Sequence, residues 1–246
     1  MDKIIITQIV NAGLLIEAAG KKILIDGIHS VKTHEWSTIN KELMDDIIYG
    51  SRFKNIDYLL FTHQHNDHFN LEKTLEYIKN NKIEKFIVTI LKDPPLDIDD
   101  LLVELDSDYY EVNRIISDSI TIKCIKTKHL SHEKIGLDHY VFIVDINSKN
   151  ILFLGDADYT KSELVKVLEN INIDIVIAPF IIAMSTPGRM FVNKINPNLL
   201  ILNHLPAKED DEYNYRNLAE KSIKKYAEDM PKTIIFQDLY DQVNID

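Results

Sequence analysis

The hexapeptide His63–His68, "HQHNDH", follows the apolar run "YLLFT" of residues 58–62. Three imidazoles and a carboxylate in six consecutive residues are a density of metal-ligand groups that a solvated loop has no physical reason to carry. Spacing adds a direction. In an extended backbone His63, His65 and Asp67 point to one side, whereas a helix would separate His63 from His65 by about 200° around its axis. The hexapeptide therefore belongs at a strand end. In the following "NLEKTLEYIKNN", Leu71, Leu75 and Ile78 recur at helical spacing and Asn70 stands where it can cap the first turn. Strand, ligand loop and helix is the local order expected here.

The pattern His-x-His-x-Asp-His after an apolar strand resembles the metal-binding signature of the metallo-β-lactamase superfamily. It fixes four residue types in six positions, and further pieces fall in order over most of the chain. The resemblance implies an α/β fold, a four-layer αββα sandwich of two mixed β-sheets flanked by helices; strands in two groups, each trailing helices, with no composition shift or linker between them, read as one domain of two similar halves over residues 1–246. The resemblance also implies a ligand set. His63, His65 and His129 would hold one metal, Asp67, His68 and His204 a second, and Asp156 would bridge the two. His129 directly follows the strand "IKTK", and His132 is the alternative third ligand. Asp156 ends "ILFLGD" and His204 ends "NLLILNH". Asp26, at the end of "KKILID", would orient the ligand loop from behind.

Neutral imidazoles and carboxylates without thiolates suit two divalent ions, zinc foremost, with manganese or iron also compatible. The chemistry implied is hydrolysis of a small ester, lactone or phosphodiester by a metal-activated water, with Asp67 as general base. "HNDHFN" and "ILFLGDAD" resemble the lactonase-like and phosphodiesterase-like branch. The same ligands would also serve a metal-binding protein without turnover, a sensor or a structural partner.

A chain of 246 residues can bury a sizeable core. Its net charge of −11 repels phosphate backbones and argues against a nucleic-acid partner. "MDKIIITQIV" is too short an apolar run for a signal peptide or a membrane span, so a cytoplasmic protein acting on a small molecule is expected. The single cysteine, Cys124, lies in an alternating strand pattern and reads as a buried strand residue.

The remaining elements read in order as a three-stranded meander over 3–26, a helix ending at Gly50 and a strand over 85–90. Residues 91–115 read as a solvated connection with a helical piece, "DIDDLLVEL". Three strands follow over 119–156, the last two joined by "NSKN", then a helix over 160–171 and a strand over 173–180. Met184, Pro187, Gly188 and Arg189 read as a loop, with Arg189 facing solvent or an anionic substrate. Leu218, Ile223 and Tyr226 mark the inward face of a last helix, and "TIIF" a closing strand. His29 and His34 read as surface or substrate-contact residues, His139 as structural, and Asp158 as a partner of the next helix start.

Overall fold

A computed structural model describes residues 3–30, 36–117, 120–130 and 137–245. The chain forms two compact units, residues 1–106 with 238–246, and residues 107–237.

The first unit begins with the expected meander, β1 (Ile4–Gln8), β2 (Leu14–Ala18) and β3 (Lys21–Ile25), paired antiparallel. Its second turn carries Ala19 and Gly20 at φ 51° and 71°, the doubly left-handed geometry whose twist matches a tight hairpin. Parallel strands β4 (Tyr58–Leu60), β5 (Lys85–Thr89) and β6 (Leu102–Leu105) extend the sheet from β3. Helices α1 (Lys41–Tyr49) and α2 (Leu71–Asn80) make the crossovers that parallel pairing requires. Each is started by an asparagine cap, Asn40 accepting from the Leu43 amide and Asn70 from the Lys73 amide, both at 2.9 Å. Their apolar stripes, Leu43 and Ile47 with Tyr77, join Leu15, Leu24, Leu59 and Phe86 in one buried cluster.

The second unit repeats this plan. Strands β7 (Val112–Ile116), β8 (Ile120–Thr127), β9 (His139–Ile146) and β10 (Lys149–Phe153) are antiparallel. Strands β11 (Ile175–Pro179), β12 (Leu199–Asn203) and β13 (Lys232–Ile235) then add in parallel. The hairpin "NSKN" places Asn147 and Ser148 at φ 52° and 61°, as a two-residue turn demands. Helices α3 (Ser162–Leu168), α4 (Ile181–Met184), α5 (Thr186–Ile195) and α6 (Tyr215–Lys225) follow. Leu164, Ile182 and Phe191 from the first three pack with Val176, Leu200 and Leu202 of the sheet. Each unit thus has a seven-stranded mixed sheet with helices packed on it, as the fold class predicts.

Four expectations fail. Residues 91–115 are not a solvated connection, since β6 and β7 lie there; only Leu96–Ile98 turns helically, as a single 3₁₀ turn. Pairing with β5 and β8 supplies ladder hydrogen bonds that a short acidic segment cannot advertise by itself. The segment at 184–189 joins two helices, with Met184 ending α4, Ser185 extended and α5 starting at Thr186. Ser185 Oγ accepts from the Gly188 amide at 3.1 Å and Pro187 sits in the first turn, so Ser-Thr-Pro-Gly here starts a helix instead of making a loop. Leu218 is 39% exposed, and Ala219 takes the buried position on α6. Finally, residues after Phe236 add β14 (Gln242–Ile245), an edge strand antiparallel to β1.

Among the described residues no helix is long and apolar enough to cross a membrane.

Candidate metal centre

The ligand loop leaves β4 in extended form and turns at once, the His68 and Phe69 amides both donating to the His65 carbonyl at 3.0 and 2.8 Å. That turn gathers His63, His65, Asp67 and His68. The His63 Nε2 and His65 Nδ1 atoms are 2.8 Å apart, and His68 Nε2 is 3.7 Å from Asp67 Oδ2. His63, Asp67 and His68 are buried and His65 is half-buried.

Behind the loop lies Asp26, fully buried at the end of β3 and held at φ 48°. Its Oδ1 accepts from the Thr62 amide at 2.8 Å, and its Oδ2 accepts from Thr62 Oγ1 at 2.7 Å and meets His68 Nδ1 at 2.8 Å. A carboxylate only accepts, so His68 carries its proton on Nδ1 and turns the Nε2 lone pair toward Asp67. Thr62 passes the same constraint along. Its hydroxyl hydrogen is spent on Asp26, so at 2.9 Å from His63 Nδ1 the oxygen accepts, which leaves His63 Nε2 as a lone pair too. One aspartate therefore sets the tautomer of two histidines, and burial of an ordinary turn residue would not need that. Gln64 fastens the loop to the end of β5 through the Thr89 hydroxyl and the Ile90 carbonyl, each at 2.8 Å.

The second unit offers three groups at strand ends. His129 follows β8, Asp156 follows β10 and His204 follows β12. Asp156 presents one carboxylate oxygen to each histidine, Oδ2 at 3.4 Å from His129 Nε2 and Oδ1 at 3.5 Å from His204 Nε2. Gly155 at φ 49° makes the turn that brings the carboxylate there, and His204 itself sits at φ 60°. A non-glycine residue held in that region carries strain of the kind concentrated at functional sites.

These spacings test whether a cation fits. Two atoms bound at about 2.0–2.1 Å to one tetrahedral cation lie about 3.3–3.4 Å apart, close to the histidine–carboxylate distances around Asp156. Imidazole nitrogens with fixed lone pairs and carboxylate oxygens also match the donor preference of zinc, manganese and iron. The residues fit such an ion.

A family model described as "Beta-lactamase superfamily domain" matches residues 6–222. The chain belongs to the metallo-β-lactamase superfamily. No curated protein matches it in sequence. Among solved structures, it is similar to a metallo hydrolase from Ignicoccus hospitalis, with a TM-score of 0.65 and 14% identity over 99% of each chain. It is also similar to an isothiocyanate hydrolase from Delia radicum gut bacteria, with a TM-score of 0.66 and 17% identity over 97% of this chain and 98% of that one. The diiron β-hydroxylase CmlA from Streptomyces venezuelae aligns with a TM-score of 0.65 and 15% identity over 98% of this chain. The chain spans about half of the hydroxylase's length, 54%. Identities this low speak for the shared fold alone. Metallo-β-lactamase superfamily proteins bind divalent metals and are mostly metal-dependent hydrolases.

Of the other residues singled out in the sequence, His29 is fully buried and so is not a surface residue; its neighbour Ile28 bridges to Phe69 and accepts from the Asn70 amide at 2.9 Å, which fastens this segment to the ligand loop. His34 and the alternative ligand His132 lie outside the described residues. Asp158 accepts from the Thr160 amide at 3.1 Å in a local turn. Arg189 folds onto its own unit, 3.6 Å from the Tyr226 ring centroid and donating to the Ala183 carbonyl at 2.9 Å. Burial pushes the Cys124 thiol up to about 12, so it stays protonated and inert at neutral pH. Thr62 and Gln64 went unremarked in sequence, though each adjoins His63.

Proposed function

We propose that the two sets of ligands act as one centre within a single domain spanning residues 1–246. His63, His65 and His129 would hold one divalent metal, Asp67, His68 and His204 a second, and Asp156 would bridge them. The reaction is hydrolysis of a small ester, lactone or phosphodiester. The observation that carries this reading is the Asp156 carboxylate, which turns a separate oxygen toward each of two histidines, the arrangement a group shared by two cations requires. When bound, the pair of ions would supply hydroxide at neutral pH and positive charge beside the attacked oxygen.

The chain's own groups do the rest. Asp67 is buried, with its Oδ2 directed to His68, and would take the proton from the attacking water as general base. Asp26 and Thr62 hold His68 and His63 in the one tautomer able to ligate. Zinc is the proposed metal because all seven ligands are imidazole or carboxylate, with manganese and iron also accommodated.

The test is metal analysis with a substrate panel, run on wild type and Asp67→Ala. The panel holds a lactone, an aryl ester and bis(p-nitrophenyl) phosphate, with an isothiocyanate added because one protein of similar fold hydrolyses that group. About two metals per chain are expected, and the variant should be slower by at least ~10², the lower range for losing a general base. Full metal occupancy with no turnover of any substrate would instead favour a metal-binding protein without catalysis. Equal rates in both proteins would remove Asp67 from the mechanism.

A further inference from the structure

His139 is the first residue of β9, fully buried, and does not belong to the proposed ligand set. Its Nε2 accepts a hydrogen bond from the backbone amide of Asp156 at 3.0 Å. A peptide N–H can only donate, so Nε2 must present its lone pair and the proton of the neutral ring must be on Nδ1. The acceptor for that proton is in place, because Thr127 Oγ1 at the end of β8 lies 2.9 Å from Nδ1. Thr127, His139 and the Asp156 amide therefore form a directed chain running from one strand end to the bridging aspartate.

The backbone of Asp156 is secured on its other side as well. Its carbonyl accepts from the Leu130 amide at 2.8 Å, and the Asp158 amide donates to the Lys128 carbonyl at 2.7 Å. These two bonds tie the turn after β10 to the segment carrying His129. The Ala157 amide closes the turn on the Leu154 carbonyl at 3.2 Å, and within that turn, next to Gly155 at φ 49°, the bond to His139 holds the Asp156 amide. The Asp156 oxygens stand 3.4 and 3.5 Å from two histidine nitrogens. A shift of a few tenths of an ångström would move one of them out of register with its cation.

We infer that His139 is a positioning residue for Asp156: as the Nδ1–H tautomer set by Thr127, it aims the bridging carboxylate through its backbone amide. The role rests on the reading of Asp156 as the bridge. It parallels the way Thr62 fixes His63 in the other unit, but here the histidine serves a ligand and is not one.

The experiment compares wild type, His139→Gln, His139→Leu and Thr127→Val, each shown to be folded by circular dichroism. Gln keeps an acceptor near the position of Nε2, whereas Leu fills the space without one. Zinc affinity is measured by competition with a chromophoric chelator, and the cobalt-loaded proteins are compared by their visible spectra. A two-dimensional ¹⁵N–¹H spectrum of the metal-free wild type reports the His139 tautomer directly. Expected are the Nδ1–H form, an affinity about 10–100-fold lower in His139→Leu with an altered cobalt spectrum, and at most about threefold lower affinity in His139→Gln. Thr127→Val should fall between them. If wild type binds metal and His139→Leu binds it equally well with the same spectrum, or if the ring is Nε2–H, the positioning role is wrong while the metal centre stands. If wild type binds no metal, the reading of the centre fails and the positioning role falls with it.

Discussion

Replacing Asp26 with asparagine isolates the device that orders the ligand loop. The side chain keeps its volume, and asparagine tolerates the left-handed backbone that Asp26 adopts at φ 48°. What changes is acceptor capacity. Asp26 accepts three hydrogen bonds on two oxygens, from the Thr62 amide, the Thr62 hydroxyl and His68 Nδ1, at 2.7–2.8 Å. An amide has one oxygen. If that oxygen serves the Thr62 amide, the NH₂ group confronts two donors, and both must turn. Thr62 would then donate to His63 Nδ1, and His68 would accept at Nδ1, so both rings would carry their proton on Nε2, the atom meant to ligate. The alternative is to keep the tautomers and lose two buried charge-assisted bonds, each worth about 1.5–3 kcal/mol. Relaxation will recover part of the sum, so metal-free Asp26→Asn should lose about 3 kcal/mol of stability in urea titration. Its zinc affinity should fall about 10–100-fold by chelator competition, the usual effect of removing a residue that orients ligands. Thr62→Val should do less, because it spares His68. An Asn variant that binds zinc within twofold of wild type would refute the tautomer argument.

Three further outcomes follow from residues away from the ligands. Cys124, with its thiol raised to about 12 by burial, stays protonated at pH 8, so native protein should resist iodoacetamide while urea-unfolded protein, with an ordinary thiol near 8.5, reacts in minutes; mass spectrometry after quenching would show it, and rapid labelling of native protein would contradict the burial. A Cβ added at Gly188 would lie 2.2 Å from the Ile182 carbonyl oxygen, so Gly188→Ala should cost about 1–3 kcal/mol in denaturant unfolding, whereas an unchanged midpoint would mean that α4 and α5 separate easily. Because Arg189 is engaged with Tyr226, Ala183 and Thr186, Arg189→Ala should lower stability by about 1–2 kcal/mol and leave KM within twofold; a large rise in KM would restore it as a substrate contact.

Legibility in the sequence followed the range of the interactions. The ligand loop, the Asn70 cap and the opening meander were readable because their causes lie within a few residues. The "NSKN" hairpin was readable for the same reason, since two residues at positive φ suffice to make it. Residues 102–105 and 112–116 were misread because they are short runs, "LVEL" and "VNRII", set among acidic and turn-forming neighbours, and their strand character comes from partners in β5 and β8. The 184–189 segment shows a different failure. Ser, Thr, Pro and Gly signal loops and helix starts alike, and only the packing of Ile182 and Phe191 on the sheet decides between them. On α6 the periodicity placed Leu218 inward, yet Ala219 is the buried residue and Leu218 is exposed.

The sequence alone determined which chemistry this chain can hold, because ligand type and spacing in "HQHNDH" are properties of six adjacent residues and need no partner to be recognised. It also marked Asp156 and His204 as strand-end groups. Only the tertiary structure decided how those groups are aimed. The proton on His68 is placed by Asp26, 42 residues earlier, and the amide of Asp156 is held by His139, 17 residues before it. A histidine that ligates and one that positions are the same letter with the same periodicity. What separates them is the donor or acceptor that folding sets against each ring nitrogen, and a hydrogen bond between distant residues leaves no local trace in the chain.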